Sequence, residues 1–350
     1  MTISSPENSH PDRSLGVAVV GTGRLGGRYV EIVKHTPGAR MVVVAEPREE
    51  ATASLREAHP DVDFAGDFRD VVGRDDVDIV VCTLPHHLHY DAALAAAAAG
   101  KHIYMEKPLA AWLSQGEEML EAARKAGVKL MTAHTQRYFP QVKLVKSVIG
   151  SGRVGEPVMA ADFWHFPYRP QTRPAWMMDR QLGGGMAQMA TTHQIDRLIY
   201  LFGNDVASAS GVTGPLTHPE HTGADDSAMA LLRWSSGRVA TISTWGWRKG
   251  AVEYGAELLF TAGMARYSIA YGGGDSGDNG VWLADEAGAG WRKLDMEPAD
   301  PMADEFSDFV GSVLRGDADT PIPQAHGLLV LKVLEAIEES SRSGREVQLD

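Results

Sequence analysis

The chain has 350 residues, enough for two domains at roughly 100–200 residues each. Hydrophobic residues make up 44% and charged residues 23%, a composition that supports a sizeable globular core. Forty-six acidic against 33 basic residues leave a net charge of −13, which provides no basic field for a nucleic-acid backbone. The single cysteine, Cys82, permits neither an internal disulfide nor a cysteine-rich metal cluster and favours a reducing, cytoplasmic setting.

Met1 to Ser14 is polar, contains Pro6 and Pro11, and lacks the apolar segment of a signal peptide, so a disordered tail is expected. The longest apolar run, Ala92–Ala99, is far shorter than the ~20 residues a bilayer requires. Leu15–Val20 is a continuous apolar run ending in glycines. A helical pattern over Arg24–Lys34 follows, then an apolar run at Met41–Ala45 and a second helical pattern over Glu49–Ala58. Val77–Cys82, the alanine-rich helix former Tyr90–Ala99, His102–Met105, a helix over Ser114–Ala126 and Lys129–Ala133 continue the alternation. Apolar runs without period-two alternation, separated by helices, predict a doubly wound parallel sheet of α/β class over residues 15–133. Beyond Pro140 the rhythm changes. Gln141–Ile149 reads as a helix, Val158–Trp164 as a half-buried strand, and a helical stretch covers His193–Phe202. Period-two segments then recur at Val206–Val212, Ser227–Trp234, Val239–Trp247, Ala256–Thr261 and Ala265–Ile269. Ser235-Ser236-Gly237 supplies a hairpin signal between two of them. Residues 134–350 are therefore expected to form an α+β domain with a mainly antiparallel sheet, closed by amphipathic helices over Asp304–Leu314 and Leu328–Ser340.

Gly21-Thr22-Gly23-Arg24-Leu25-Gly26 follows the first strand directly and opens the first helix. In that context the three glycines serve the tight turn, the approach of a pyrophosphate and the close seating of the helix on the sheet. The helix N-terminus offers unpaired N–H groups to phosphate. Glu46 lies 20 residues past Gly26, at the end of the second strand, where a carboxylate accepts hydrogen bonds from an adenosine ribose and repels a 2′-phosphate. That favours NAD. Arg48 leaves NADP open.

The segment Thr83-Leu84-Pro85-His86-His87-Leu88-His89, followed by Ala98-Ala99-Gly100-Lys101-His102-Ile103-Tyr104-Met105-Glu106-Lys107-Pro108-Leu109, is the most specific text in the chain. It resembles the Gfo/Idh/MocA oxidoreductase family, which includes glucose–fructose oxidoreductase and inositol dehydrogenases. Arg137-Tyr138-Phe139-Pro140, Gly152–Pro157, Gly183-Gly184-Gly185 leading to His193 and Asp196, and the closing helix extend the resemblance over about residues 15 to 348. The resemblance implies a Rossmann domain, a nicotinamide cofactor and a sugar, glycoside or cyclitol substrate, with no metal. It also implies a homo-oligomer, dimer or tetramer. Two rival functions stay open: redox cycling on a tightly held dinucleotide, and a non-catalytic dinucleotide-binding regulator.

By the same resemblance Lys107 faces the nicotinamide and is the leading catalytic residue. An ammonium there stabilises a developing alkoxide, and burial would let it relay a proton. His193 is the second catalytic candidate. The family aspartate four residues before it is replaced by Met189, beside Gln188. Thr83, Pro85, His86, His89 and Glu106 are expected beside the cofactor, and His87 beside cofactor or substrate. The histidine-rich loop carries no carboxylate or thiol at ligand spacing. Arg137 either binds substrate oxygens or holds the domains together. Trp164, His165 and Trp176 lie where relatives line the pocket, with sheet packing as the alternative for each. Trp245 and Trp247 point to a sheet surface or subunit interface.

Overall fold

In the computed structural model, residues 14–23, 25–247, 252–270, 279–285, 288 and 290–349 are described. Residues 1–13 of the expected tail (Met1 to Ser14), and Arg24, lie outside them. The first sheet contains β1 (Leu15–Val20), β2 (Ala39–Ala45), β3 (Asp63–Ala65), β4 (Ile79–Cys82), β5 (His102–Glu106) and β6 (Leu130–Ala133). Its order is β3-β2-β1-β4-β5-β6, and every pairing is parallel. Helices α1 (Gly26–His35), α2 (Glu49–Ala58), α3 (Phe68–Val72), α4 (His89–Ala98) and α5 (Leu113–Ala126) connect the strands. The apolar runs are continuous because helices cover both faces of the sheet; β1 and β4 are buried at every position. The short β3 and α3 had no counterpart in the sequence reading. Three residues of strand are too few for a period to register.

The second sheet has nine strands, ordered β14-β13-β12-β11-β7-β10-β9-β8-β15. These are β7 (Pro157–Pro167), β8 (Val206–Gly214), β9 (Ser227–Trp234), β10 (Val239–Trp247), β11 (Glu253–Phe260), β12 (Gly263–Ser268), β13 (Gly280–Asp285), β14 (Arg292–Leu294) and β15 (Val347–Gln348). All pairings are antiparallel except β7 with β10. The hairpin at Ser235-Ser236-Gly237 joins β9 to β10, and Gly237 takes φ +87°. Helix α6 (Pro140–Gly150) precedes β7, and α7 (Thr192–Phe202) lies against the inner face of this sheet, packing Ile195, Leu198 and Ile199 into its core.

The closing helices are α8 (Pro301–Arg315) and α9 (His326–Ser343). Although expected with the second half, α8 buries Phe306, Phe309 and Val310 in the core beneath the parallel sheet, beside Val17, Tyr29 and Tyr104. That three-and-four spacing aligns the residues on one helix face. Helix α9 contributes to both cores, through Leu331 to the first and Val333, Leu334 and Ile337 to the second. The chain thus returns to pin its two halves together, and Lys107, just past the C-terminal end of β5, meets the turn that leads into α7.

Candidate active site

The turn after β1 is shaped to admit a diphosphate. Gly21 holds φ +90°, and a Cβ on Gly26 would sit 1.9 Å from the Gly21 carbonyl oxygen and 2.8 Å from Thr83 Oγ1. Only glycine lets α1 start this close to β4. Thr83 is committed to the turn, donating to the Gly21 carbonyl at 2.7 Å. By contrast, a Cβ on Gly23 would meet no atom within 4 Å, and no side chain caps α1 at Leu25. This open space before uncapped N–H groups is what an anion requires. At the tip of β2, Glu46 accepts from the Thr22 backbone N–H at 2.9 Å and from Arg48 Nε at 2.7 Å. Burial opposes its ionisation, but the bonds from Arg48 and Thr22 outweigh burial and lower the carboxyl to about 2. Arg48 is therefore already paired, with its charge spent on Glu46.

Lys107 follows β5, and its Nζ donates to the Met189 carbonyl at 2.8 Å. That carbonyl belongs to a π-helical turn, Ala187–Thr191, which runs into α7 and carries His193 one residue into that helix. Two glycine-dependent features set the turn. Gly185 holds φ +101°, and a Cβ there would come within 2.2 Å of the Asp225 carboxylate. Asp225 in turn accepts from the Ala187 N–H at 2.7 Å, fixing the first residue of the turn. Burial pushes the Asp225 carboxyl up to about 7. His193 Nδ1 is buried without a hydrogen-bond partner. Burial, followed by the nearby Lys107 charge, holds this imidazole well below its usual value, so it is neutral at neutral pH.

The histidine loop after β4 borders this centre. Pro85 leads into a short 3-10 turn over His86–Leu88, where His86 Nδ1 lies 2.6 Å from the Gly183 carbonyl. Trp176 stands edge-on to His86, with ring centroids 4.7 Å apart, and 6.4 Å from His87. His87 Nδ1 is buried without a hydrogen-bond partner.

Several expected contacts take other positions. His89 is fully buried, its ring nitrogens facing the Pro108 and Leu84 carbonyls at 2.9 and 3.0 Å; it braces the loop and presents no face to a cofactor. Glu106 turns inward to accept from Tyr29 at 2.9 Å. Gln188 is also fully buried and donates across the domain junction to the Ala111 carbonyl. Arg137, left between two roles by the sequence, pairs with the buried Asp196 at 2.6 Å and contacts the His326 ring, so it joins α7 to α9. Trp164 stacks on Tyr254 at 4.5 Å on the inner sheet face, with the His193 ring 5.8 Å away. His165 points to the opposite face and stacks on Trp245 at 3.9 Å, so strand alternation removes it from the pocket. The side chain of Trp247 lies outside the described residues. Asp225 and the π turn escaped the sequence reading, since neither carries a local signal.

Among the described residues, His134, Asp196 and His326 form the one group of three side chains close enough to share a metal ion. The Arg137 guanidinium already bonds Asp196 and contacts His326, so the cationic charge in that group is supplied by the protein. No helix among the described residues is long and apolar enough to cross a membrane.

A dinucleotide cradle and a lysine at the ends of the parallel sheet, facing a histidine carried by α7, define the class as an NAD-binding oxidoreductase. The sequence model of the oxidoreductase family with NAD-binding Rossmann fold matches residues 15–134, and that of the GFO/IDH/MocA C-terminal domain matches residues 142–266. The chain belongs to the Gfo/Idh/MocA oxidoreductase family. It is 36% identical over 172 residues to 1,5-anhydro-D-fructose reductase of Ensifer adhaerens, a match spanning 49% of this chain and 51% of that enzyme. It is 24% identical to myo-inositol 2-dehydrogenase of Thermotoga maritima over 96% of this chain and 99% of the relative. The crystal structure of the WlbA dehydrogenase from Bordetella pertussis, in complex with NADH and UDP-GlcNAcA, superimposes with a TM-score of 0.82 at 25% identity, covering 97% of this chain and 99% of the other.

Proposed function

We propose that the chain is an NAD-dependent dehydrogenase or reductase that moves a hydride between the nicotinamide and a secondary alcohol or ketone of a sugar, glycoside or cyclitol. The Lys107 ammonium carries this reading. It projects from the C-terminal end of the β5 strand toward the turn that leads into the His193 helix, with its Nζ 2.8 Å from the Met189 carbonyl. The open space at Gly23, the uncapped α1 N-terminus and the ionised Glu46 fit a dinucleotide. Gly21, Gly23, Leu25 and Gly26 would hold its diphosphate and Glu46 its adenosine ribose, while Thr83, Pro85 and His86 would border the nicotinamide end. Bound there, the cofactor supplies the carbon that takes or returns the hydride. Arg48 bonds both oxygens of Glu46, so its guanidinium is engaged by the carboxylate and not offered to a 2′-phosphate, which supports NAD over NADP.

The residues of the chain divide the remaining work. Lys107 stabilises the negative charge that develops on the substrate oxygen. Neutral His193 accepts the hydroxyl proton during oxidation and returns it during reduction. Trp176 and His87 present an aromatic wall on which the C–H face of a sugar ring stacks. The names of the anhydrofructose reductase and inositol dehydrogenase relatives support a carbohydrate or cyclitol substrate.

The test is Lys107→Ala, assayed with NAD and NADH against a panel of sugars, cyclitols and their ketones. Turnover should fall by about 10²-fold or more, with the fold intact by circular dichroism. Unchanged turnover would refute the assignment. Product formed by the unaltered enzyme without net NADH would move the reading to redox cycling, and dinucleotide binding without turnover of any compound would move it to a regulator.

A homo-oligomer, dimer or tetramer, is part of the same proposal. Register places Val212, Met229, Met159, Met264 and Trp245 on the outer face of the second sheet, where all five are exposed. Such an apolar row is suited to a second copy of the chain. Light scattering should return two or four times the 37.8 kDa of one chain. A monomer at micromolar concentration would contradict it.

A further inference from the structure

Behind Lys107 a chain of buried hydroxyl and carboxyl groups crosses from β5 to α8. Glu106 Oε1 accepts from Tyr29 at 2.9 Å, the Tyr29 and Tyr104 hydroxyls lie 3.3 Å apart, and Tyr104 meets Glu305 Oε2 at 2.9 Å. The outer carboxylate oxygens are engaged as well. Glu106 Oε2 accepts from the Lys107 N–H at 3.2 Å, and Glu305 Oε1 from the His134 N–H at 2.6 Å. Thr135, half-buried at the far end, donates to Glu305 Oε2 at 2.6 Å.

Counting protons decides what this chain is. It has three oxygen–oxygen links, and with both glutamates ionised it has only two hydroxyl hydrogens to fill them. Each tyrosine would then donate outward to its carboxylate, leaving the two phenol oxygens facing each other lone pair to lone pair. One added proton fills every link. We propose that Glu106 and Glu305 share a single proton through Tyr29 and Tyr104, and that its position follows the charge on Lys107. The inference rests on the assignment of Lys107 to catalysis.

The exchange balances. When the proton sits on Glu305, it passes to Tyr104, the Tyr104 proton to Tyr29, and the Tyr29 proton to Glu106. Three O–H bonds break, three form, and the carboxylate charge changes ends. A charged Lys107 draws the negative charge to Glu106; a neutral Lys107 releases it to Glu305. Glu106 and Glu305 are positioning residues, since neither is argued to touch the substrate. The other titratable groups that act on this chain are Cys82 of β4, near Glu106, and Tyr138, near Glu305. Both are neutral at neutral pH, so neither competes for the proton. Burial raises the carboxyl of Glu106, and burial with the Glu106 charge raises that of Glu305 to about 8, in keeping with one ionised and one protonated partner.

The test uses Glu305→Gln in the full chain. Its amide donates to Tyr104, orients both phenols toward Glu106 and locks that carboxylate in its ionised form. Infrared difference spectra at pH 7 should show the loss of one protonated-carboxyl band relative to the unaltered protein. The alkaline limb of kcat/KM, set by loss of the Lys107 proton, should move up by about one pH unit, a tenfold higher rate above it and unchanged activity below it. If no such band is lost, both glutamates were ionised and the proposal is overturned. The band lost with an unmoved pH profile would overturn the link to Lys107. Should Glu305→Gln not fold, Tyr104→Phe breaks the chain and should shift the carboxyl band to higher frequency, and an unshifted band is again contrary. Lys107→Ala separates the two readings, because a fully active Lys107→Ala enzyme removes the catalytic assignment whatever the infrared spectrum shows.

Discussion

Replacing Arg137 by methionine separates a structural from a substrate-binding guanidinium. Asp196 is fully buried, and its Oδ2 has no hydrogen-bond partner. Its ionisation is opposed by burial and favoured most by Arg137, which places Nε 2.6 Å from Oδ1; the net result is a carboxyl far below its ordinary value. Methionine fills most of the arginine's volume, so packing around α7 and α9 is largely kept. The carboxylate then retains the His326 ring at 2.8 Å and the His134 ring at 3.7 Å. Breaking a buried pair by removing one partner costs about 3–5 kcal/mol. With an unfolding entropy of roughly 2.1 cal/mol/K per residue, this chain should lose about 4–7 °C in melting temperature by calorimetry. Arg137→Met combined with Asp196→Leu should recover part of that loss, since no charge is then stranded. KM should stay within about threefold of the unaltered value, because no group facing the cleft is removed. A melting temperature unchanged within a degree, with KM raised tenfold or more, would refute the structural assignment.

Glu46→Ser removes the carboxylate that faces a 2′-phosphate and frees Arg48, so the ratio of kcat/KM for NADP over NAD should rise by about tenfold or more, the equivalent of one unfavourable charge contact. An unaltered ratio would show that Glu46 does not read the ribose. Asp225 is held at about 7 in the folded chain, against about 3.9 for a free side chain. Its raised value makes the folded state bind the extra proton, so its stabilising contribution is complete below about pH 4 and is lost as the pH rises through 7. The ceiling on that loss is about 4 kcal/mol. Asp225→Asn keeps an oxygen for the Ala187 N–H and carries no charge. Its melting temperature should exceed that of the unaltered protein at pH 8 and converge with it toward pH 4. A pH-independent difference would count against a buried, ionising Asp225.

The parallel sheet was legible because its strands announce themselves twice, once by apolar continuity and again by the glycine turn that must follow β1. The place of Lys107 at the end of β5 was legible through its motif. What the sequence could not supply was direction. His165 and Trp164 are neighbours in the same aromatic stretch, yet the pleat sends one to the pocket side and the other to the outer face. Arg137 stands in a motif compatible with either role, and only the position of Asp196, 59 residues away, decides between them. The same distance problem hid Glu305. It lies on a helix read as closing the second domain, whereas apolar packing of Phe306 and Phe309 carries it to the back of β5. Long-range pairings of buried polar groups leave no periodic trace, because each depends on a partner whose place is set by the whole fold.

Met189 shows how one such pairing replaces a missing side chain. In an unbroken α-helix the carbonyls of this stretch would all be spent on N–H groups four residues on. The π turn changes that: the Thr192 N–H reaches back to the Ala187 carbonyl, and the Thr192 hydroxyl takes the Gln188 carbonyl at 2.8 Å. The Met189 carbonyl then receives the Lys107 ammonium. A carbonyl orients the amine by its dipole and adds no charge, whereas a carboxylate in its place would neutralise it and compete for the substrate proton. Under the proposed function proton transfer at this centre then falls to an imidazole kept neutral by burial, and in the proposed proton-sharing chain the anionic counterweight for the lysine would lie behind it, at Glu106.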